Sequence, residues 1–299
     1  MSGHHEVKEN LDNKFKLGLL LNTSYTIFEF IMGFASGSLA LVSDAAHNLT
    51  DSLSLVVSFL ANKISQRSAD EEKTYGYGRA SILAALLNSI LLLGLAGYIF
   101  YEAWQRFLNP EPVQGKLVMI VAVFGIVINA SVAALFFKNR SDVNTKSAFL
   151  SMAFDALASV GALIAGFIIL LTGKTIVDPI ISALIGIMLV WSAWGIVKEA
   201  LHMLLDGVPE GIEIKKVKQA INDISGVTGV CDLHVWALSA HDSGLSCHAI
   251  VDTKNLPAAV AIVSKIKVML RDTFHIEHAT IEIQLTPGPH DGERMDEGL

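Results

Sequence analysis

The stretch that decides the fold is Ala80–Tyr101, ASILAALLNSILLLGLAGYIFY, which contains no charged residue. A helix needs roughly 20 apolar residues to cross a hydrocarbon core of about 30 Å, and this stretch has that length. Five further stretches of similar character lie before residue 201: Leu17–Phe34, Leu39–Asn62, Leu117–Phe137, Ser147–Gly173 and Ile176–Val197. The sequence therefore predicts an all-helical membrane domain with six spans.

The composition excludes several classes of protein. Of the 299 residues, 52% are hydrophobic and 17% are charged, whereas soluble domains average about 25% charged residues. The apolar residues are concentrated in long blocks, which excludes a soluble enzyme and a disordered chain. A net charge of −7 argues against a nucleic-acid partner. The two cysteines, Cys231 and Cys247, are too few for a disulfide framework.

The basic residues near the ends of the spans predict the orientation, because Lys and Arg accumulate on the cytoplasmic side. One side holds Lys8, Lys14, Lys16, Lys63, Arg67, Lys73, Arg79, Lys138, Arg140, Lys146 and Lys198. The other side holds only Arg106, Lys116 and Lys174. Both termini are therefore predicted to be cytoplasmic.

After Leu205 the chain has the composition of a soluble domain. Its patterns predict the order α-β-β-α-β, a small α+β sandwich in which two helices back three strands. The elements are Ile214–Ile224, Val230–Leu238, Leu245–Val251, Ala258–Phe274 and Ala279–Leu285. We predict four segments: a cytoplasmic N-terminal segment (1–14), the membrane domain (15–205), a cytoplasmic domain (206–286) and a flexible C-terminal tail (287–299).

Polar residues inside the predicted spans indicate a site, because each charge there costs about 2.5–3.5 kcal/mol on insertion scales. His47 and Asp51 stand four residues apart, on one helix face, and Asp155 lies on the fifth span. An imidazole and two carboxylates are ligands suited to Zn²⁺, with a fourth position open. The alternative is that these groups are structural and hydrogen-bonded between helices. Glu29 and Asp44 are candidates for supporting or proton-path residues, with the same structural alternative.

Five motifs, in order along nearly the whole chain, resemble the cation diffusion facilitators, a family of zinc–proton antiporters. They are SLALVSDAAHNLTD (Ser38–Asp51), YGYGR (Tyr75–Arg79), FDALASVG (Phe154–Gly161), Asp178-Pro179 and DLHVW (Asp232–Trp236). The second-span motif is most similar to that of the bacterial branch with His-x-x-x-Asp.

The resemblance implies a homodimer that exports metal, zinc first of all, from the cytoplasm in exchange for protons. It implies a cytoplasmic domain of ferredoxin-like fold that dimerises and can also bind zinc. The location implied is the cell inner membrane, with a vesicular membrane of a eukaryote as the alternative. Candidate ligands for zinc in the cytoplasmic domain are His234, His248, His278, Glu282 and Cys231, with plain surface histidines as the alternative.

One position departs from the family pattern. The fifth span reads SMAFD, so Ser151 stands where the family has a second histidine. Serine is a neutral ligand and offers Zn²⁺ far less than an imidazole does. The change is either an adjustment of metal preference towards harder ions or a substitution that weakens transport. The transport site expected here is His47, Asp51 and Asp155, with Ser151 in the vacant position.

Two other functions compete with transport. A membrane metalloenzyme would need a general base beside a metal-bound water, as in His-Glu-x-x-His, and the sequence contains no such motif. A metal sensor would need a domain that transmits a signal, and no kinase, DNA-binding or phosphate-binding motif is present. The sequence therefore favours a transporter that is not an enzyme.

Overall fold

The structure is a computed structural model that describes residues 20–137 and 143–286. The predicted N-terminal segment and C-terminal tail lie outside the described residues. The described residues form two compact units, one from the ranges 20–56, 88–137 and 143–195 and the other from 57–87 and 196–286. We refer to them as the membrane unit and the sheet unit.

Six long helices cover most of the described chain up to Leu204. They are α1 (20–36), α2 (Leu39–Ser65), α3 (Ala80–Leu108), α4 (Gly115–Phe137), α5 (Val143–Thr172) and α6 (Val177–Leu204). In this part of the chain, four segments are long and apolar enough to cross a membrane: Ala80–Leu108, Gly115–Ala134, Met152–Thr172 and Val177–Leu204. Helix α2 is less apolar because it carries Asp44, His47 and Asp51.

The core of the membrane unit contains residues from all six helices. Leu41, Ile99, Val118 and Val121 are almost completely buried there, and Met32 of α1 packs against them. Small residues such as Ala162 let the helix backbones approach one another, as is usual in membrane helix packing. This close packing fixes the faces of the helices that carry polar groups.

Helix α2 begins at a buried anchor supplied by α6. The Asp178 carboxylate accepts hydrogen bonds from Ser38 Oγ (2.5 Å), from the Leu39 backbone N–H (2.6 Å) and from the Ala40 backbone N–H (3.4 Å). Asp178 is completely buried. The first N–H groups of a helix have no partner within the helix, and a negative charge there also interacts favourably with the helix dipole. Asp178 therefore fixes the start of the helix that carries His47.

The sheet unit contains a three-stranded sheet and two helices in the predicted order. These are α7 (Ile214–Asn222), β1 (Val227–Ala237), β2 (Ser243–Val251), α8 (Leu256–Phe274) and β3 (His278–Gln284). Strand β2 lies in the centre, antiparallel to β1 and parallel to β3. Alternate residues such as Leu245 and Cys247 face a core shared with Ile221 of α7 and Ile266 of α8.

The segment before α3 contacts the sheet within this same unit. The ring of Tyr75 lies edge-on to Trp236, with 6.5 Å between the ring centroids, and Arg79 forms an ion pair with Asp206. Gly78 needs to lack a side chain, because a Cβ atom there would lie 2.6 Å from the carbonyl oxygen of Leu238. The YGYGR segment is therefore fitted closely to the end of β1.

Candidate metal centre

The predicted residues of α2 differ in their surroundings. Asp44 is 1% exposed, whereas His47 is partly buried. The structure describes the backbone of Asp51 within α2, but its side chain lies outside what is described, and the same holds for Ser151 on α5. The contribution of these two side chains to a site stays a prediction.

A buried polar cluster joins α1 and α2. Tyr25 Oη donates a hydrogen bond of 2.8 Å to Glu29 Oε1, and Glu29 is completely buried. The carboxyl group of Glu29 lies within hydrogen-bond reach of the Asp44 carboxyl group. The structure thus brings together two of the acidic residues that the sequence predicts inside the spans.

Helices α4 and α5 complete this polar region. A side chain at Gly125 would collide with Tyr25 Oη and Ser159 Oγ, so both hydroxyl groups face the same point of α4. Ser159 lies one helical turn beyond Asp155, which is 3% exposed. Asp155 lies close enough to Glu29 for the charges of the two side chains to interact. A buried acidic region therefore lies among α1, α2 and α5.

The predicted ligands of the sheet unit lie on one face of the sheet, around a residue that the sequence analysis missed. Asp232 Oδ1 lies 2.9 Å from His234 Nε2, and Asp232 Oδ2 lies 3.6 Å from His248 Nε2. The same Nε2 atom of His248 also lies 3.6 Å from Glu282 Oε2. Asp232 thus connects the two histidines.

Asp232 reaches this position because β1 is irregular there. The register between β1 and β2 shifts between the pairs Cys231–His248 and His234–Ser246. Asp232 has a φ of 49°, in the left-handed region that Asp tolerates better than most residues do. The spacing Asp-x-His, next to the predicted His234, is the signal that could have identified it.

Of the two other predicted ligands, His278 lies apart from this group, whereas Cys231 lies beside His248. His278 pairs with Gly244, four positions along β3 from Glu282, which corresponds to about 13 Å of strand. The His278 ring contacts Tyr75 edge-on, at 5.4 Å between the ring centroids. Cys231 is the strand partner of His248, and its Sγ lies 3.9 Å from the carbonyl oxygen of His248.

Within the described ranges, no three His, Cys, Asp or Glu side chains are arranged to hold a metal ion. The contacts among Asp232, His234, His248 and Glu282 are pairwise, with both carboxylates approaching the same nitrogen of His248. Carboxylate oxygens and imidazole nitrogens are the ligands that Zn²⁺ uses together in proteins. Both regions thus contain donor atoms suited to Zn²⁺, one region inside the membrane unit and one on the sheet.

Two family models match the chain, one after the other. The first, described as the cation efflux transmembrane domain, matches residues 15–205. The second, described as the cytoplasmic domain of cation efflux proteins, matches residues 209–285. Together they cover almost all described residues.

Relatives match over nearly the full length of the chain. It is 38% identical to the cation efflux system protein CzcD of Alcaligenes sp. (strain CT14) over 288 residues, which are 96% of this chain and 91% of that protein. It is 34% identical to the cadmium, cobalt and zinc/H(+)-K(+) antiporter of Bacillus subtilis (strain 168), over 96% of this chain and 94% of the relative. It is 33% identical to the zinc transporter ZitB of Escherichia coli (strain K12), over 99% and 94% of the two chains.

Proposed function

The chain belongs to the cation efflux family, whose members transport metal cations across membranes, and we propose that it is a homodimeric zinc–proton antiporter. In this proposal it exports zinc from the cytoplasm. The observation that carries the proposal is the burial of Asp155 and Asp44 among apolar helices, since buried acidic groups in a membrane mark ion pathways.

We propose the following arrangement in the membrane. Residues 15–205 form six spans, and residues 206–286 form a ferredoxin-like cytoplasmic domain. The excess of Lys and Arg on one side supports cytoplasmic termini, and the bacterial relatives support the inner membrane. The match to the dimerising cytoplasmic domain supports a homodimer.

The proposed transport site consists of His47, Asp51 and Asp155. Spacing supports the first two, because residues four apart share a helix face. Ser151 precedes Asp155 by four residues and takes the fourth position, either through its hydroxyl group or through a water molecule. Zinc is the transported substrate in this account.

Proton exchange follows from the chemistry of these ligands. An imidazole must be neutral and a carboxylate ionised to bind a metal, so binding releases protons and protonation expels the metal. If the site opens alternately to the two sides of the membrane, zinc leaves on the side where protons enter. The name of the Bacillus subtilis relative, an antiporter that uses H(+), supports this coupling.

We also propose that the cytoplasmic domain binds zinc between β1 and β3. Asp232, His234, His248 and Glu282 already lie within contact distance in pairs. In this proposal three of them share one ion. Cys231, the strand partner of His248, and the more distant His278 are further candidates.

Metal transport by purified protein in proteoliposomes tests the proposal. We expect the chain to move zinc and Asp155→Ala to abolish that movement, because the substitution removes a charged ligand. Ser151→His should increase zinc transport if serine weakens the site. Asp223→Ala, which removes an exposed carboxylate of the sheet unit, is the control. If Asp155→Ala transports zinc as fast as this control, the proposed site is wrong.

A further inference from the structure

The membrane unit buries more acidic groups than the proposed zinc site uses. Glu29 and Asp44 are 0% and 1% exposed, and neither belongs to the proposed ligand set. They come from different helices, α1 and α2, and their carboxyl groups lie within hydrogen-bond reach of each other. Two acidic groups therefore lie together, away from solvent.

The hydrogen bonding of this pair is incomplete unless a proton is present. Glu29 Oε1 accepts from Tyr25. Among the described residues, no donor reaches Glu29 Oε2 or either carboxylate oxygen of Asp44, and all three atoms are buried. A carboxylate can only accept hydrogen bonds, whereas a protonated carboxyl group can donate one. One shared proton, bonded to an oxygen of one carboxyl group, therefore supplies a donor to an oxygen of the other.

Electrostatics leads to the same number of protons. Two carboxylates in contact and away from water cannot both stay ionised, so such a pair holds one proton between them. Of the other titratable groups, Tyr25 contacts Glu29 from α1 and Asp155 acts on it from α5. His47 lies three residues along α2 from Asp44.

A further polar side chain is buried on the helix face that carries Asp44. Asn48 follows Asp44 by four residues and so lies on the same face of α2. It is 1% exposed, and its amide nitrogen Nδ2 has no acceptor among the described residues. Its amide group is thus an unused donor on the helix face that carries Asp44.

We propose that Glu29 and Asp44 carry one further proton of the exchange, in addition to the protons released by the metal ligands. This inference rests on the proposed antiport. When a divalent cation binds beside Asp155, its positive field breaks the carboxyl O–H bond, and the proton leaves as H⁺ to the side to which the site is open. When the cation departs, the pair takes up one proton from the side then open.

Proteoliposomes that report zinc and proton movement at the same time test the assignment. A zinc gradient drives exchange in the wild-type chain, in Glu29→Gln and in Asp44→Asn, with a zinc-sensitive dye and a pH-sensitive dye enclosed. We expect each variant to move zinc down its gradient while the number of protons exchanged per zinc ion falls by about one. The control is Glu102→Gln, the same change in a carboxylate that pairs with Arg106 near the end of α3.

The outcomes separate the two proposals. If the wild-type chain moves zinc without protons, the antiport itself is refuted. If the wild-type chain exchanges protons and both variants keep the wild-type ratio, only the assignment to Glu29 and Asp44 is refuted.

A milder variant covers the case in which the acidic substitutions prevent folding. Tyr25→Phe removes only the hydroxyl donor. In the wild-type chain that donor stabilises the ionised form of Glu29. The proton is then released less readily, so the midpoint of the pH dependence of zinc transport should move to higher pH. An unchanged midpoint in Tyr25→Phe, with normal zinc transport, contradicts the assignment.

Discussion

The anchor at the start of α2 yields a prediction whose magnitude can be worked out from the structure. Asp178 is completely buried and accepts three hydrogen bonds, two of them short. Asp178→Ala removes the acceptor and leaves Ser38 Oγ and the Leu39 N–H buried without it. We therefore expect the substitution to destabilise the protein and to loosen the helix that carries His47.

The two short bonds set the size of the effect. A hydrogen bond to a charged group contributes about 1.5–3 kcal/mol, so losing both costs about 3–6 kcal/mol. Asp178→Asn keeps one carbonyl oxygen and the shape of the side chain, so it should cost about half of that. The third bond, at 3.4 Å, is long and adds little.

Thermal unfolding in detergent measures this effect, with the fraction of folded protein at each temperature determined by size-exclusion chromatography. The unfolding temperature should decrease from wild type to Asp178→Asn and further to Asp178→Ala. Asp223→Ala, which removes an exposed carboxylate, should unfold at the wild-type temperature. If Asp178→Ala also unfolds there, the carboxylate does not hold α2 and the reasoning is refuted.

Three further predictions concern the sheet unit. Ile266 is completely buried, so Ile266→Ala should lower the free energy of unfolding by about 2–5 kcal/mol, as measured by denaturant unfolding followed by tryptophan fluorescence. Val268→Ala, at a side chain that is 48% exposed, should change it little, and equal effects would contradict the assigned core. Burial, with a smaller contribution from Cys231, raises the pKa of Cys247 to about 12. Iodoacetamide at pH 8 should therefore leave Cys247 unmodified in native protein and modify it after denaturation. Mass spectrometry detects the modification. Labelling of native Cys247 would show that β2 is not buried as described. Gly78→Ala places a methyl group against the Leu238 carbonyl oxygen and should therefore speed tryptic cleavage after Lys73 and Arg79. Gly94→Ala adds a methyl group where the space is open and should leave the cleavage rate unchanged. Equal cleavage rates in the two variants would refute the close fit of the YGYGR segment to β1.

Local patterns in the sequence predicted most elements, and the differences have physical causes. The apolar stretch Ala80–Tyr101 predicted a span, but α3 continues to Leu108. Its last turns carry Glu102, Gln105 and Arg106 and are stabilised by contacts that hydropathy does not report. Arg106 pairs with Glu102 and donates a 2.6 Å hydrogen bond to the carbonyl oxygen of Gly37.

The candidate sites were less predictable because they depend on contacts between distant segments. Asp232 was missed, since its position depends on the register shift between β1 and β2. The sequence marked Glu29 and Asp44 separately as polar residues within spans. Their contact depends on the packing of α1 against α2, which no local pattern encodes.

The most direct test of the account is zinc-driven proton movement in proteoliposomes that contain the wild-type chain or Asp155→Ala. The account predicts that zinc and protons move in opposite directions with the wild-type chain, and that Asp155→Ala stops both. It is contradicted if zinc moves at the same rate with and without a pH gradient, or if Asp155→Ala transports as well as the wild-type chain does.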